Sequence, residues 1–156
     1  VVRLARDAGY NDHRLAFSYY ARAQVMIKDD PRLAAADFSQ AYIGFKTLFG
    51  VQDIHTAHAA VQMASLALSA GKLQTALEYI NASIPAAQKA QNGSLLFGLL
   101  AMKAEVFEAL GQVSDAKALR REAISWGRYG IASQSEISRR LGQVAALLPK
   151  LSTKGF

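Results

Sequence analysis

Gly71 and Gly111 stand 40 positions apart in matching surroundings: Ala64 corresponds to Ala104, Leu73 to Val113, Ala76 to Ala116 and Ile84 to Ile124. A fainter copy lies 42 positions upstream of Gly71, where Asp29, Asp30 and Pro31 form the turn. Arg22 precedes that turn, and Ala34, Phe38 and Ala41 follow it. A period of this length, made of two helical patterns and a turn, severely limits what the chain can fold into. Each unit is a helical hairpin too small to bury its own apolar face, so the units must stack on one another as a solenoid. Solenoids present extended surfaces, and their usual work is binding.

The pattern predicts a first hairpin from helices over 13–28 and 31–48. Leu15, Tyr19, Arg22 and Met26 define one face of the first helix, and Asp29 or Asp30 caps the second, with Pro31 in its first turn. Residues 1–10 are expected to add a partial helix. Gly50 closes the second helix and Asp53 opens the third, over 54–70, with the fourth over 73–91 after the break at Gly71. Pro85 removes a backbone donor and disfavours helical geometry at Ile84, so a kink or early end is expected there. Asn92-Gly93 reads as a turn and Ser94 as the cap of a fifth helix over 95–110, followed by a sixth over 113–126. Gly127–Ala132 reads as a linker. Ser133-Gln134-Ser135-Glu136 is a capping box for a last helix that ends at Pro149, with Ile137, Leu141, Val144, Ala145 and Leu148 on one face. The expected architecture is a single all-α domain over 1–156, with hairpins over about 13–50, 54–92 and 94–127 and a capping helix over 133–149.

These slots resemble the tetratricopeptide repeat, which places a large residue, a Leu-Gly pair and an aromatic on the first helix, and an alanine with an aromatic four on in the second. Leu100, Lys103-Ala104 and Phe107, then Gly111, Ala116 and Arg120, occupy those slots in one repeat. Ala60, Met63-Ala64 and Ala67, then Gly71, Ala76 and Ile80, occupy them in the repeat before. The spacing of 40 to 42 residues exceeds the family's usual 34 or so, as in its long-repeat branch. The offset of 42 sets Arg22 in the slot of Ala64 and Ala104, and Arg120 replaces an aromatic. The resemblance implies a right-handed α-α superhelix whose first helices line a concave groove that takes a peptide or a partner helix. In this register the groove draws on Tyr19, Tyr20, Ala23 and Met26, then His58, Val61, Gln62 and Ser65, then Ala101, Met102, Glu105 and Glu108. It is apolar at one end and acidic at the other. The family's clamp for a peptide C-terminal carboxylate needs Lys, Arg and Asn on these helices, where Glu105 and Glu108 stand here. An apolar or basic segment is therefore the expected ligand.

The net charge of +6 is uneven. Ten Lys/Arg balance ten Asp/Glu through residue 116, whereas eight Lys/Arg face only Glu122 and Glu136 from Lys117 onward. Arg120, Arg121, Arg128, Arg139 and Arg140, with Trp126 and Tyr129 among them, form a candidate basic face for an acidic protein, phosphates or nucleic acid. The plainer reading is a solvated end-cap, since these charges alternate with apolar residues.

Chemistry has little to work with. Cysteine is absent, which excludes disulfides and a thiol nucleophile and fits cytoplasm or periplasm alike. His55 and His58 are one helical turn apart, yet no third metal ligand lies near them in sequence. Glu105 and Glu108 share a face without an evident acid/base partner. No phosphate loop, nucleophile elbow or metalloprotease pair occurs. The longest stretch free of Lys, Arg, Asp and Glu, Ile54 to Gly71, carries His55, His58, Gln62 and Ser65 and has a helical period, so it reads as a packed helix and not a span. Val1-Val2 without Met, and with no signal-peptide pattern, suggests that an upstream segment has been removed. The expected function is a non-catalytic adaptor without a cofactor; the alternative is a regulatory or sensor domain of a larger protein that uses the basic face.

Overall fold

The computed structural model describes residues 13–149, and the partial helix expected over 1–10 lies outside them. Seven helices and no strand occur among the described residues: α1 (His13–Met26), α2 (Pro31–Phe49), α3 (Ile54–Ser69), α4 (Leu73–Lys89), α5 (Gly93–Ala109), α6 (Val113–Gly130) and α7 (Gln134–Ala145). The fold is all-α. Helices pair as α1 with α2, α3 with α4 and α5 with α6, and each pair packs on the next. None of the described helices is long and apolar enough to cross a membrane.

The ends of these helices are set by local chemistry. Asp30 Oδ1 accepts from Leu33 N at 3.1 Å and Pro31 occupies the first turn of α2, while Asp53 Oδ1 accepts from His55 N at 2.8 Å at the start of α3. Each satisfies a backbone donor that has no partner within its helix. Gly71 and Gly111 hold φ of 73° and 82°, and the following amides, Lys72 N and Gln112 N, reach back to Ala67 O and Phe107 O, both at 2.8 Å. This is the left-handed closure that glycine adopts without steric cost. The third such turn uses Gln91, at φ 50°, with Asn92 N bonded to Ala87 O. The expected Asn92-Gly93 turn is thus displaced by one residue. Asn92 Oδ1, not Ser94, caps α5 by accepting from Leu95 N, and Gly93 is already helical, its backbone meeting that of Trp126 and Gly130 with no room for a side chain.

Two other expectations, an early end of α4 at Pro85 and a linker over 127–132, give way. Pro85 neither ends α4 nor shortens it; the helix continues to Lys89 with the proline exposed, and the carbonyl of Asn81 that loses its donor belongs to an exposed residue that water can reach. The linker expected over Gly127–Ala132 is mostly helix, since α6 runs to Gly130. Gly127 is buried under Phe97 and Ile137, where a Cβ would sit 2.9 Å from Phe97 Cδ2.

The first hairpin follows a register one residue away from the expected one. Ala23, not Arg22, occupies the close-packed slot equivalent to Ala64 and Ala104, and all three are fully buried. The second-helix partners Ala34, Ala76 and Ala116 are buried equally well. From slot to slot the chain advances 11 positions in the first hairpin and 12 in the others, because α1 ends three residues after its alanine while α3 and α5 run five further. A side chain beyond a methyl at these crossings would overpack the core. Arg22 instead reaches across to α2, where it pairs with buried Asp37.

The core falls into four clusters spread along the hairpins. Phe38 and Phe45 of α2 anchor one end, against Tyr20, Met63 and Leu66 in one cluster and Ala59 in another; burying each ring stabilises the fold by about 1.5–3 kcal/mol. Leu68, Ile80, Leu96, Leu99 and Val106 join the second hairpin to α5. α5 is buried on nearly every side, and its remaining face is covered by α7, whose Ile137, Leu141 and Val144 pack on Phe97, Leu100 and Ala101.

Candidate binding groove

Two open recesses that share His58 of α3 make a candidate groove, one walled by α1 and α2 and the other by α5 and α7. The first, about 280 Å³, is lined by Phe17, Tyr20 and Gln24 of α1, Phe45 of α2, and His55 and His58 of α3. Its rings pack against one another: Phe17 meets Phe45 edge-on at 4.9 Å and His55 at 5.1 Å, and Tyr20 meets Phe38 at 5.5 Å. Edge-to-face packing of this kind is a preferred aromatic arrangement, about 0.5–1.5 kcal/mol per pair. Burial raises the Tyr20 hydroxyl above its usual range, and the hydrogen bond with Gln62 pulls the other way.

The second recess, about 560 Å³, takes His58, Val61, Gln62 and Ser65 from α3, the cap Asn92 with Ser94, Leu95, Phe97 and Gly98 of α5, and Arg140, Gln143, Val144 and Leu147 from α7 and the turn that follows. Val61, Val144 and Leu147 form its apolar base, packed on the core. Burial, and after it the charge of His55, holds the His58 imidazole below its ordinary value. His55 is oriented by Asp53, whose Oδ1 lies 2.9 Å from Nδ1.

Of the expected groove residues, Tyr20, His58, Val61, Gln62 and Ser65 come together here. Ala23, Ala101 and Met102 do not, since all three are buried: Ala23 by the α1–α2 crossing, Ala101 and Met102 within α5 clusters that α7 residues cover. Tyr19 is turned toward α2, beside Gln40, Ile43 and Gly44. Met26, half-buried in the last turn of α1, lines neither recess. Glu105 and Glu108 sit apart, in a recess of about 760 Å³ with Leu73, Ala109 and Leu148. Both bond to Nη2 of Arg120, Glu105 at 3.0 Å, so one of the two negative charges of the expected acidic end is offset. Phe17 and Gln24 were outside the sequence expectation, although counting from Ala23 instead of Arg22 places them in line with His58 and Ser65.

The expected basic face is dispersed in the same way. Arg120 belongs to the α5–α6 pair just described, and Arg139 and Arg140 both bond to Glu136, which they hold down to about pKa 2. Glu136 therefore turns to these arginines, and only the Ser133 half of the capping box forms, through Ser133 Oγ and Glu136 N at 3.2 Å. Arg121 and Arg128 remain as exposed cations on α6. Trp126 is half-buried and packs into two clusters of the core, and Tyr129, 68% exposed, lies edge-on to it at 6.1 Å. No group of three His, Asp or Glu placed to hold a metal occurs among the described residues.

No protein-family model, curated protein or solved structure matches this chain.

Proposed function

We propose that the chain is a divergent, long-repeat tetratricopeptide-like array that works as a non-catalytic adaptor and holds an extended peptide or a partner helix in the groove of α1, α3 and α7. The carrying observation is the groove itself: an aromatic recess of edge-to-face rings that continues into a second recess edged by the side-chain amides of Gln62 and Gln143. Apolar pockets for alternate side chains, with amides between them for the main chain, are what an extended ligand requires. The paired slots Ala23/Ala34, Ala64/Ala76 and Ala104/Ala116 support the family reading.

The test is affinity capture from lysate of the source cells with the parent chain, Tyr20→Ala and the double variant Arg121→Glu/Arg128→Glu as parallel baits. A partner held by the parent and the double variant but lost with Tyr20→Ala is the expected result. Loss with the double variant alone, together with salt-sensitive capture, would transfer the function to the basic face.

A further inference from the structure

The larger recess carries a single charge. Among its lining residues Arg140 alone is ionised at neutral pH, and the others are apolar, amide or hydroxyl side chains, glycine and the imidazole of His58. Arg140 is held in place on two sides: Nε donates to Glu136 Oε1 at 2.9 Å and Nη1 donates to Ser94 Oγ at 2.9 Å. Ser94 belongs to α5 and Glu136 to α7, so the guanidinium is fixed across the seam between these helices. Glu136 does not cancel it, because the same carboxylate also takes two hydrogen bonds from Arg139, at 2.8 and 2.5 Å. Two arginines share one acid, which leaves one net positive charge on the cluster of Glu136, Arg139 and Arg140, with Nη2 of Arg140 uncommitted among the described residues. The adjoining recess is apolar, with only imidazoles, a phenol and the amide of Gln24 for polar groups.

We infer that the groove selects an extended peptide carrying both an aromatic or aliphatic side chain, seated between Phe17, Tyr20 and Phe45, and an acidic side chain that reaches Arg140. This rests on the groove reading above and gives it a ligand class. It also reverses the basic ligand expected from Glu105 and Glu108, which line a separate recess and share Arg120 between them. A carboxylate on a pre-positioned guanidinium makes charge-assisted hydrogen bonds, stronger than neutral ones, and orienting Arg140 beforehand lowers the entropy cost of binding.

The experiment is fluorescence anisotropy with dye-labelled, N-acetylated, C-amidated alanine-based nonapeptides. Each carries one Phe and one Glu at separations of one to four residues, and a matched set has Lys in place of Glu. Amidation ensures that the only carboxylate is the side chain's. The Glu set is expected to bind at least about tenfold more tightly than the Lys set. Arg140→Glu should reverse that order and Arg140→Gln should abolish it, while Tyr20→Ala weakens both sets; thermal melts identify any variant that has lost its fold. Equal binding of the two sets, or a Glu preference that survives in a folded Arg140→Gln, overturns the inference and leaves the groove reading standing. Absence of binding by every peptide of both sets overturns the two together.

Discussion

Arg22 grips the carboxylate of Asp37 through two parallel hydrogen bonds, Nε to Oδ2 at 2.6 Å and Nη2 to Oδ1 at 2.8 Å. The acid is 3% exposed and the base 38%, so the pair is buried from one side only. The third hairpin ties its two helices with the opposite polarity, Glu105 and Glu108 on the first helix and Arg120 on the second. In both, an ion pair fastens a crossing that small alanines bring close together.

Removing the base strands the acid. Arg22→Met leaves a buried carboxylate without its partner and is expected to cost about 3 kcal/mol, the lower end for a buried pair because the guanidinium is partly solvated. Arg22→Met combined with Asp37→Leu should return to within about 1 kcal/mol of the parent, since two apolar groups need no partner. Urea unfolding of the three chains checks this, and a double variant no better than the single one would show that the pair contributes more than the charge it neutralises.

Gly98 and Gly130 should respond oppositely to alanine. A Cβ at Gly98 meets nothing within 4 Å, and a helical glycine replaced by alanine gains about 0.5–1 kcal/mol. A Cβ at Gly130 would lie 2.5 Å from Ser94 N and 2.8 Å from Gly93 C, backbone that cannot step aside without moving the start of α5. Gly130→Ala is expected to lose about 2 kcal/mol or more, measured as a lowered thermal midpoint beside a raised one for Gly98→Ala.

Gln91 carries the left-handed turn that glycine carries at 71 and 111. A side chain in that conformation costs about 1–2 kcal/mol, so Gln91→Gly should stabilise the chain by about 1 kcal/mol despite the added freedom of the unfolded state. Denaturant unfolding reads the gain directly, and an unchanged midpoint would mean that Gln91 makes compensating contacts.

The stability of the fold should fall on mild acidification. His58 is held below 6.5 by burial, and secondly by the charge of His55. Below pH 6.5 or so the unfolded chain therefore takes up a proton that the folded chain resists, and stability drops with pH in that window. The contribution is intact above about pH 6.5, is lost as pH falls toward the lowered folded value, and levels off beneath it. His58→Gln should narrow the difference between thermal midpoints at about pH 7.5 and pH 5; an undiminished difference would assign it to other groups.

Much of the helical framework was legible because it is local. Gly71 and Gly111, the caps Asp30, Asp53 and Ser133, and Pro31 act over a few residues of backbone, and their meaning does not depend on what lies across the molecule. The first helix shows the limit of such reading. Its turn has no glycine, so the 42-residue offset aligned Arg22 with Ala64, while packing selected Ala23 for the crossing. One position rotates a helix by about 100°, enough to turn Tyr19 toward α2 and bring Phe17 and Gln24 into line with α3.

The sequence by itself determined the succession of hairpins and their boundaries to within a few residues, and its expected set on α3, His58, Val61, Gln62 and Ser65, lines one recess. Tertiary structure alone decided where α7 lies, and with it that Ala101 and Met102 are core and that Arg140 forms a wall of the groove. It also decided that Arg120 pairs with Glu105 and Glu108, whereas Glu136 meets Arg139 and Arg140 at local i,i+3 and i,i+4 spacings. Periodicity states which side of a helix is apolar. Only through-space contact states what that side meets, and Coulomb attraction between side chains 12 to 15 positions apart leaves no periodic trace in the chain.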